Sequence, residues 1–215
     1  CRPRISLPHA RPLRISIIVI HRILNMKNFV IFGAPGSGKG TYSAKLVERY
    51  SLGHISTGDV LRAEIKNGTP LGKTAQEYID KGQLIPDNLM IDILASKLDS
   101  LGNVPGVIFD GFPRTIAQAE ALKAMLARRG EKVDAMLELV VGEDVLMQRL
   151  LRRAEIEGRA DDNETTIRAR FDVYRTQTRP LSDWFEAEGV RHTYTWAGEM
   201  ELMLAAIYAD VEKII

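Results

Sequence analysis

Cysteine is almost missing from this chain: Cys1 is its only one. An internal disulfide and a cysteine-built zinc site are both excluded. Histidine is scarce as well. His9, His21, His54 and His192 are scattered without ligand spacing, so no histidine metal centre is expected. Long apolar runs are absent. Ile15 to Ile20 is the candidate, and it falls far short of the ~20 residues that a bilayer requires. Neither sign of charge dominates: the net value is +1, which gives no global reason to expect nucleic acid or a membrane as partner. Internal repeats and low-complexity linkers are missing too. What is there is 215 residues, 45% hydrophobic and 27% charged. That balance suits one or two folded domains with a sizeable core.

Residues 1–25 differ from the rest. They hold five arginines, three prolines and no acid. Removing them leaves 24 of the 29 basic residues against 28 acids, a net charge of −4. Two readings fit: an extra segment upstream of a start at Met26 and outside the fold, or an Arg-rich, acid-poor targeting peptide. Composition alone is weak evidence for targeting, so the first is preferred and the folded unit is expected over 26–215.

The informative stretch comes next. Phe29-Val30-Ile31-Phe32 is a short apolar run. Gly33-Ala34-Pro35-Gly36-Ser37-Gly38-Lys39-Gly40-Thr41 follows, then a helix-like segment to Tyr50. Strand, glycine-rich turn and helix form the context in which G-x-x-x-x-G-K reads as a phosphate-binding loop. The glycines let successive backbone N–H groups converge on one point. The helix N-terminus adds unbonded N–H groups and a partial positive charge. A polyphosphate is the expected guest, with Lys39 reaching its outer phosphates as a point charge. The common form of the motif places Ser or Thr directly after the lysine; here Gly40 stands there and Thr41 follows.

Further along, His54-Ile55-Ser56 reads as a strand, and Thr57 or Asp59 as the cap of a helix from Val60 to about Lys66. Asn67-Gly68 ends that helix, and Pro70 admits a second one, Leu71 to Asp80. Residues 56–85 thus form a helical insertion between sheet strands, of the kind a mobile substrate lobe would need. Pro86-Asp87 opens a helix to about Leu101. Val107-Ile108-Phe109 is a buried strand ending at Asp110, where an acid facing a phosphate loop suits Mg²⁺, directly or through water. Thr115 caps a helix with Ile116, Ala119, Leu122 and Leu126 on its apolar face. Ala135 to Val141 is another strand, and Glu143 opens a helix to about Ala154. Arg149 and Arg153 share a face of it; spacing alone makes them solvated surface arginines. A charge cluster, 157–163, breaks the helix. The next begins at Thr165, with Ile167, Phe171 and Tyr174 as its buried stripe and Arg170 beside it, while Arg168, Arg175 and Arg179 point to solvent. Arg191 to Trp196 is the last strand. Met200 to Ile214 is the last helix, its Met and Leu residues core. The alternation predicts a parallel α/β sheet with helices on both faces.

The strings GAPGSGKGT, HISTGDVLR, GQLIPD, VIFDGFPRT with Gln118 after it, and GRADDNETTIRAR occur in that order. Together they resemble the adenylate kinases over nearly all of residues 26–215. The resemblance implies a P-loop NTPase-type core, an AMP-binding lobe at about 56–85 and a short lid at about 153–162. It implies that Gly36, Ser37, Gly38, Lys39, Gly40 and Thr41 bind ATP phosphates, with Arg149 and Arg153 clamping them and Gly198 near the adenine. It assigns AMP to Thr57, Arg62, Gln83, Leu84, Ile85, Gly111, Phe112, Pro113, Arg114 and Gln118. Arg159 and Arg170 complete the phosphate clamp. Lys39, Arg114, Arg149, Arg153, Arg159 and Arg170 would then be the catalytic set, with Mg²⁺ near Asp110. The long, sometimes zinc-bearing lid of many relatives is missing, so no structural zinc is expected. A cytoplasmic monomer acting on ATP, AMP and ADP, with no nucleic acid or membrane partner, is the expectation.

The implied reaction is ATP + AMP ⇌ 2 ADP. Its nucleophile is a phosphate oxygen already ionised at neutral pH, so positioning and charge neutralisation are needed and a general base is not. A UMP/CMP or other monophosphate kinase would share the chemistry. Relatives acting on those nucleotides tend to carry Ala at the position of Thr57, and Gln118 offers an amide suited to adenine. A switch GTPase or other nucleotide-dependent binding module would want Ser or Thr after Lys39 and an N-K-x-D string; this chain has neither.

Overall fold

The computed structural model describes residues 26–159 and 161–215. The expectations for residues 1–25 lie outside the described residues. Five strands, β1 (Lys27–Gly33), β2 (Gly53–Ser56), β3 (Gly106–Asp110), β4 (Ala135–Val140) and β5 (Arg191–Thr195), form one sheet in the order β2-β3-β1-β4-β5. Every pairing is parallel. β1 sits in the middle, with β3 on one side and β4 on the other. The chain's path diverges there, and such a point leaves a crevice at the carboxyl ends of the strands.

Side-chain alternation along the strands divides the core in two. One face of the sheet carries Val30, Phe32, Val107, Phe109 and Met136. It packs against α4 (Asp87–Ser100), α5 (Ile116–Ala127) and α8 (Pro180–Ala187). The other face carries Phe29, Ile31, Ile108, Leu137 and Leu139, covered by α1 (Lys39–Tyr50) and α9 (Met200–Ile214). In α9 the buried residues are Met203, Ile207 and Val211, core contacts as the spacing predicts. Burying each such side chain stabilises the fold by roughly 1.5–3 kcal/mol.

Between β2 and α4 lie α2 (Thr57–Lys66) and α3 (Pro70–Asp80). The cap of α2 is neither Thr57 nor Asp59. Ser56 holds that position, its Oγ accepting from the Asp59 N–H. Thr57 is already the first helical residue and is buried. The reason is tertiary: the Thr57 hydroxyl is drawn inward to donate to the carbonyl of Gly111 at 2.9 Å. A local capping rule cannot anticipate that partner.

α6 (Glu143–Glu157) is nearly one turn longer than the sequence suggests, ending at Gly158 in a left-handed cap. α7 (Glu164–Val173) is capped by Asn163, which accepts from the Thr166 N–H. A π-helical turn, Tyr174–Thr178, follows, marked by Arg179 N–H donating to the Tyr174 carbonyl. α6 and α7 enclose a small core of Leu146, Leu150, Ile167 and Phe171, against which Ala34 of the glycine-rich loop packs. The loop therefore rests on α6. Arg168, Arg175 and Arg179 are exposed.

Candidate active site

The loop after β1 has the backbone its glycines allow. Gly36 and Gly38 hold φ values of 82° and 96°, a region costly for other residues. Gly36 also abuts α6, where a Cβ would stand 3.0 Å from the Leu146 carbonyl and from Leu150 Cγ. Gly38 is the N-cap of α1 and has no side chain to cap it, so the first N–H groups of that helix stay available to a ligand. Lys39 folds back over the turn. Its ammonium donates to the carbonyls of Gly33 and Ala34 at 2.7 and 3.0 Å. Burial pushes its pKa down to about 8; Asp110 works against that shift, while Arg114, Arg170 and Arg153 reinforce it.

A cavity of about 640 Å³ opens over this loop. It gathers Gly36, Gly38, Lys39, Gly40 and Thr41 with Arg62, Leu84, Asp110, Gly111, Phe112, Pro113, Arg114, Arg149, Arg153, Arg159 and Arg170. These come from segments well separated in the chain, brought together at the strand ends. A smaller cavity of about 80 Å³ adjoins it, lined by Thr57, Gln83, Ile85 and Gln118 among others. Arg62, Leu84, Gly111, Arg114 and Arg170 line both. Two of the expected residues line neither. Ser37 is buried inside the turn, and Gly198 is exposed between β5 and α9.

Eight basic side chains border the larger cavity against three acids, Asp59, Asp110 and Glu157. Like charges in a dry site oppose one another. Burial, and then Arg170, pull the Arg114 guanidinium down to about 10. Burial likewise pulls Arg170 below its usual value. The site is thus under electrostatic tension that a polyanion would relieve.

Acids hold several of these arginines. Arg153 forms a two-pronged pair with Asp162, at 2.6 and 2.8 Å. Arg170 shares the same carboxylate at 2.7 Å and reaches Asp161 at 3.3 Å. Arg159 pairs with Glu157 at 2.6 Å, and Arg62 with Asp59. Arg149 and Arg153 are consequently not solvated surface residues. Both are half-buried, because α6 leans its arginine face over the loop instead of outward.

In the smaller cavity the Gln118 amide is oriented by its neighbours. Nε2 donates to Asp87 Oδ1 and Oε1 accepts from the Arg114 N–H, each at 2.7 Å. One amide proton and one lone pair remain for a ligand. Sequence reasoning passed over Asp87 and Asp162 as site residues, and also Tyr174 and Thr178, which line the larger cavity from the π-helical turn. Asp162 carried a signal, an acid set among arginines. Thr178 carried none.

Among the described residues, no group of three or more His, Cys, Asp or Glu side chains is arranged to hold a metal ion. No described helix is long and apolar enough to cross a membrane.

Residues 31–190 match the adenylate kinase family. The chain is 62% identical over 189 residues to the adenylate kinase of Phocaeicola vulgatus, covering 88% of this chain and all of that protein. It is 62% identical over 189 residues to the adenylate kinase of Bacteroides thetaiotaomicron, with the same coverage. With the adenylate kinase of Porphyromonas gingivalis it shares 51% over 188 residues, 87% of this chain and 97% of the relative.

Proposed function

The chain belongs to the adenylate kinase family, and from that premise we propose how its residues carry out the reversible transfer of a phosphoryl group from ATP to AMP, giving two ADP. The observation that carries this reading is the pair of adjoining cavities with Arg62, Arg114 and Arg170 common to both. Two nucleotides seated in them would meet phosphate to phosphate across those arginines.

ATP takes the larger cavity. The backbone N–H groups of Gly36–Thr41 and the Lys39 ammonium hold its β- and γ-phosphates, with Arg149 and Arg153 beside them. AMP takes the smaller one, its base read by Gln118 and Thr57 and lined by Gln83, Leu84 and Ile85. Gly111–Arg114 and Arg62 turn its phosphate toward the γ-phosphorus. The AMP phosphate oxygen attacks in line; the new O–P bond forms as the bond to the β–γ bridging oxygen of ATP breaks. No proton has to move. Arg114, Arg159 and Arg170 neutralise the transferring group, and one such donor is worth about 3–4 kcal/mol of barrier, or ~10²–10³ in rate. Arginine suits the task because its fork stays charged and engages phosphate oxygens in pairs.

Mg²⁺ travels with ATP in this reading, and the residues present fit it. Asp110 offers hard oxygen donors at the end of β3. It faces Gly40, where a Cβ would lie 3.9 Å from Oδ2. A single carboxylate, completed by phosphate oxygens and water, is the surrounding Mg²⁺ favours. When bound, the ion would offset charge on the outer phosphates.

Residues 56–85 act as the AMP lobe and 153–162 as the lid. Closure of both over the nucleotides excludes water, which would otherwise attack the same phosphorus. Phosphates replacing Asp162 and Glu157 on Arg153, Arg170 and Arg159 supply the drive. A single chain carries the whole site, which supports a monomer as the working unit, acting in the cytoplasm where its substrates are.

The test is to give the protein ATP with AMP, CMP, UMP and GMP in turn. AMP should be phosphorylated with the highest kcat/KM. A preference for CMP or UMP would move the chain to another branch of monophosphate kinases.

A further inference from the structure

Gln118 is only 2% exposed, and its amide is gripped at both ends. The Arg114 N–H can only donate, so Oε1 faces it, at 2.7 Å. An ionised Asp87 can only accept, so Nε2 faces its Oδ1, also at 2.7 Å. Asp87 itself lines neither cavity. Its effect on a nucleotide must pass through the amide.

The carboxylate is as firmly seated as the amide. Asp87 is the first residue of α4, where a helix N-terminus favours negative charge. Its Oδ2 accepts from the Thr115 hydroxyl at 3.2 Å. Thr115 in turn accepts from the Gln118 backbone N–H at 3.2 Å, capping α5. Asp87, Thr115 and Gln118 thus close a ring that ties the start of α4 to the start of α5. The Gln118 side chain is one arm of it and the Gln118 backbone is the other.

An amide turned over exchanges its donor and its acceptor. Purines differ in the same way. A 6-amino purine offers a donor at position 6 and an acceptor at N1; a 6-oxo purine offers an acceptor at position 6 and a donor at N1. One orientation of the amide therefore matches the first and opposes the second. An amide free to turn would serve both. We infer that Asp87 is a positioning residue for the choice of phosphoryl acceptor. By accepting from Nε2 it locks Gln118 in the orientation that pairs with a 6-amino purine and rejects a 6-oxo purine. The inference rests on the reading of Gln118 as a base-contacting residue given above.

The test measures Kd for AMP and for inosine monophosphate, its 6-oxo counterpart, in Asp87→Asn and Asp87→Ala. The Asn carbonyl can still accept from Nε2, with its own nitrogen turned toward the Thr115 hydroxyl, so Asp87→Asn should keep most of the preference for AMP. Asp87→Ala leaves room for water, which donates as readily as it accepts and so fixes no orientation. It should narrow the preference for AMP about tenfold, the worth of one hydrogen bond, with Kd for ATP unchanged. An unchanged preference in Asp87→Ala, equal losses in the Asn and Ala variants, or a parallel weakening of AMP and inosine monophosphate would reduce Asp87 to a link between helices and overturn the inference. Gln118→Leu separates the two levels. If it leaves the preference for AMP unchanged, the base-contact reading fails and the inference with it. If it abolishes the preference while Asp87→Ala does not, the role of Asp87 alone is refuted.

Discussion

Arg153 donates through Nε and Nη2 to the two carboxylate oxygens of Asp162, across the turn that joins α6 to α7. The Asp162 side chain is wholly buried there. Burial opposes its charge, but Arg153, then Arg170 and Arg159, outweigh that and hold the carboxyl below the usual range. Burial also opposes the charge of Arg153, and the Asp162 pair raises it above its ordinary value. The acid thus orients two arginines of the larger cavity before any nucleotide arrives.

Asp162→Asn keeps the shape and removes the charge, leaving Arg153 and Arg170 to repel each other. A loss of roughly 3 kcal/mol of stability in urea unfolding is expected, with kcat down by at least about tenfold. The folded pKa is depressed, so the stabilisation is present above about pH 4 and is lost in acid as pH falls through it. Wild-type stability and turnover in this variant would contradict the role given to Asp162.

Lys39 predicts a proton linkage. Its pKa of about 8 lies below the ordinary 10.5, so between those values the folded protein holds less of this proton than the unfolded chain. This group's contribution to stability therefore rises with pH across that window. A polyphosphate stabilises the ammonium and draws the proton back. ATP binding at pH 8.5 should take up a fraction of a proton, and affinity should fall as pH rises through 8. Calorimetry in two buffers of different ionisation enthalpy measures this. Lys39→Met should bind weakly and without uptake; uptake equal to wild type would assign the proton elsewhere.

Thr57 tests base selection. Its hydroxyl donates to Gly111, which also accepts from Arg114, so Thr57→Ala strands no carbonyl. The expected stability loss is about 1 kcal/mol. The acceptor ranking should relax from AMP toward CMP and UMP. An unchanged ranking would leave Thr57 as a helix-to-sheet link only.

What was legible in the sequence was local or carried by contiguous strings. The phosphate loop is one stretch, Gly33 to Thr41, and its glycines dictate their own backbone. The parallel sheet followed from strands alternating with helices. Arg149 and Arg153 were not legible from spacing, because an i, i+4 pair fixes a shared face and not what lies opposite. The partners of Arg153 and Arg149, Asp162 and Trp196, are 9 and 47 residues away. The π-helical turn was likewise hidden. Tyr174 keeps the apolar stripe, but one extra residue per turn before Pro180 brings Thr178 to the cavity.

The most direct measurement uses ADP and Mg²⁺ alone. One cavity should accept ADP as donor and the other ADP as acceptor, so ATP and AMP should appear together in equal amounts until equilibrium. If neither accumulates, or AMP appears with free phosphate and no ATP, two phosphates are not meeting across Arg114 and Arg170, and the account of this site is wrong.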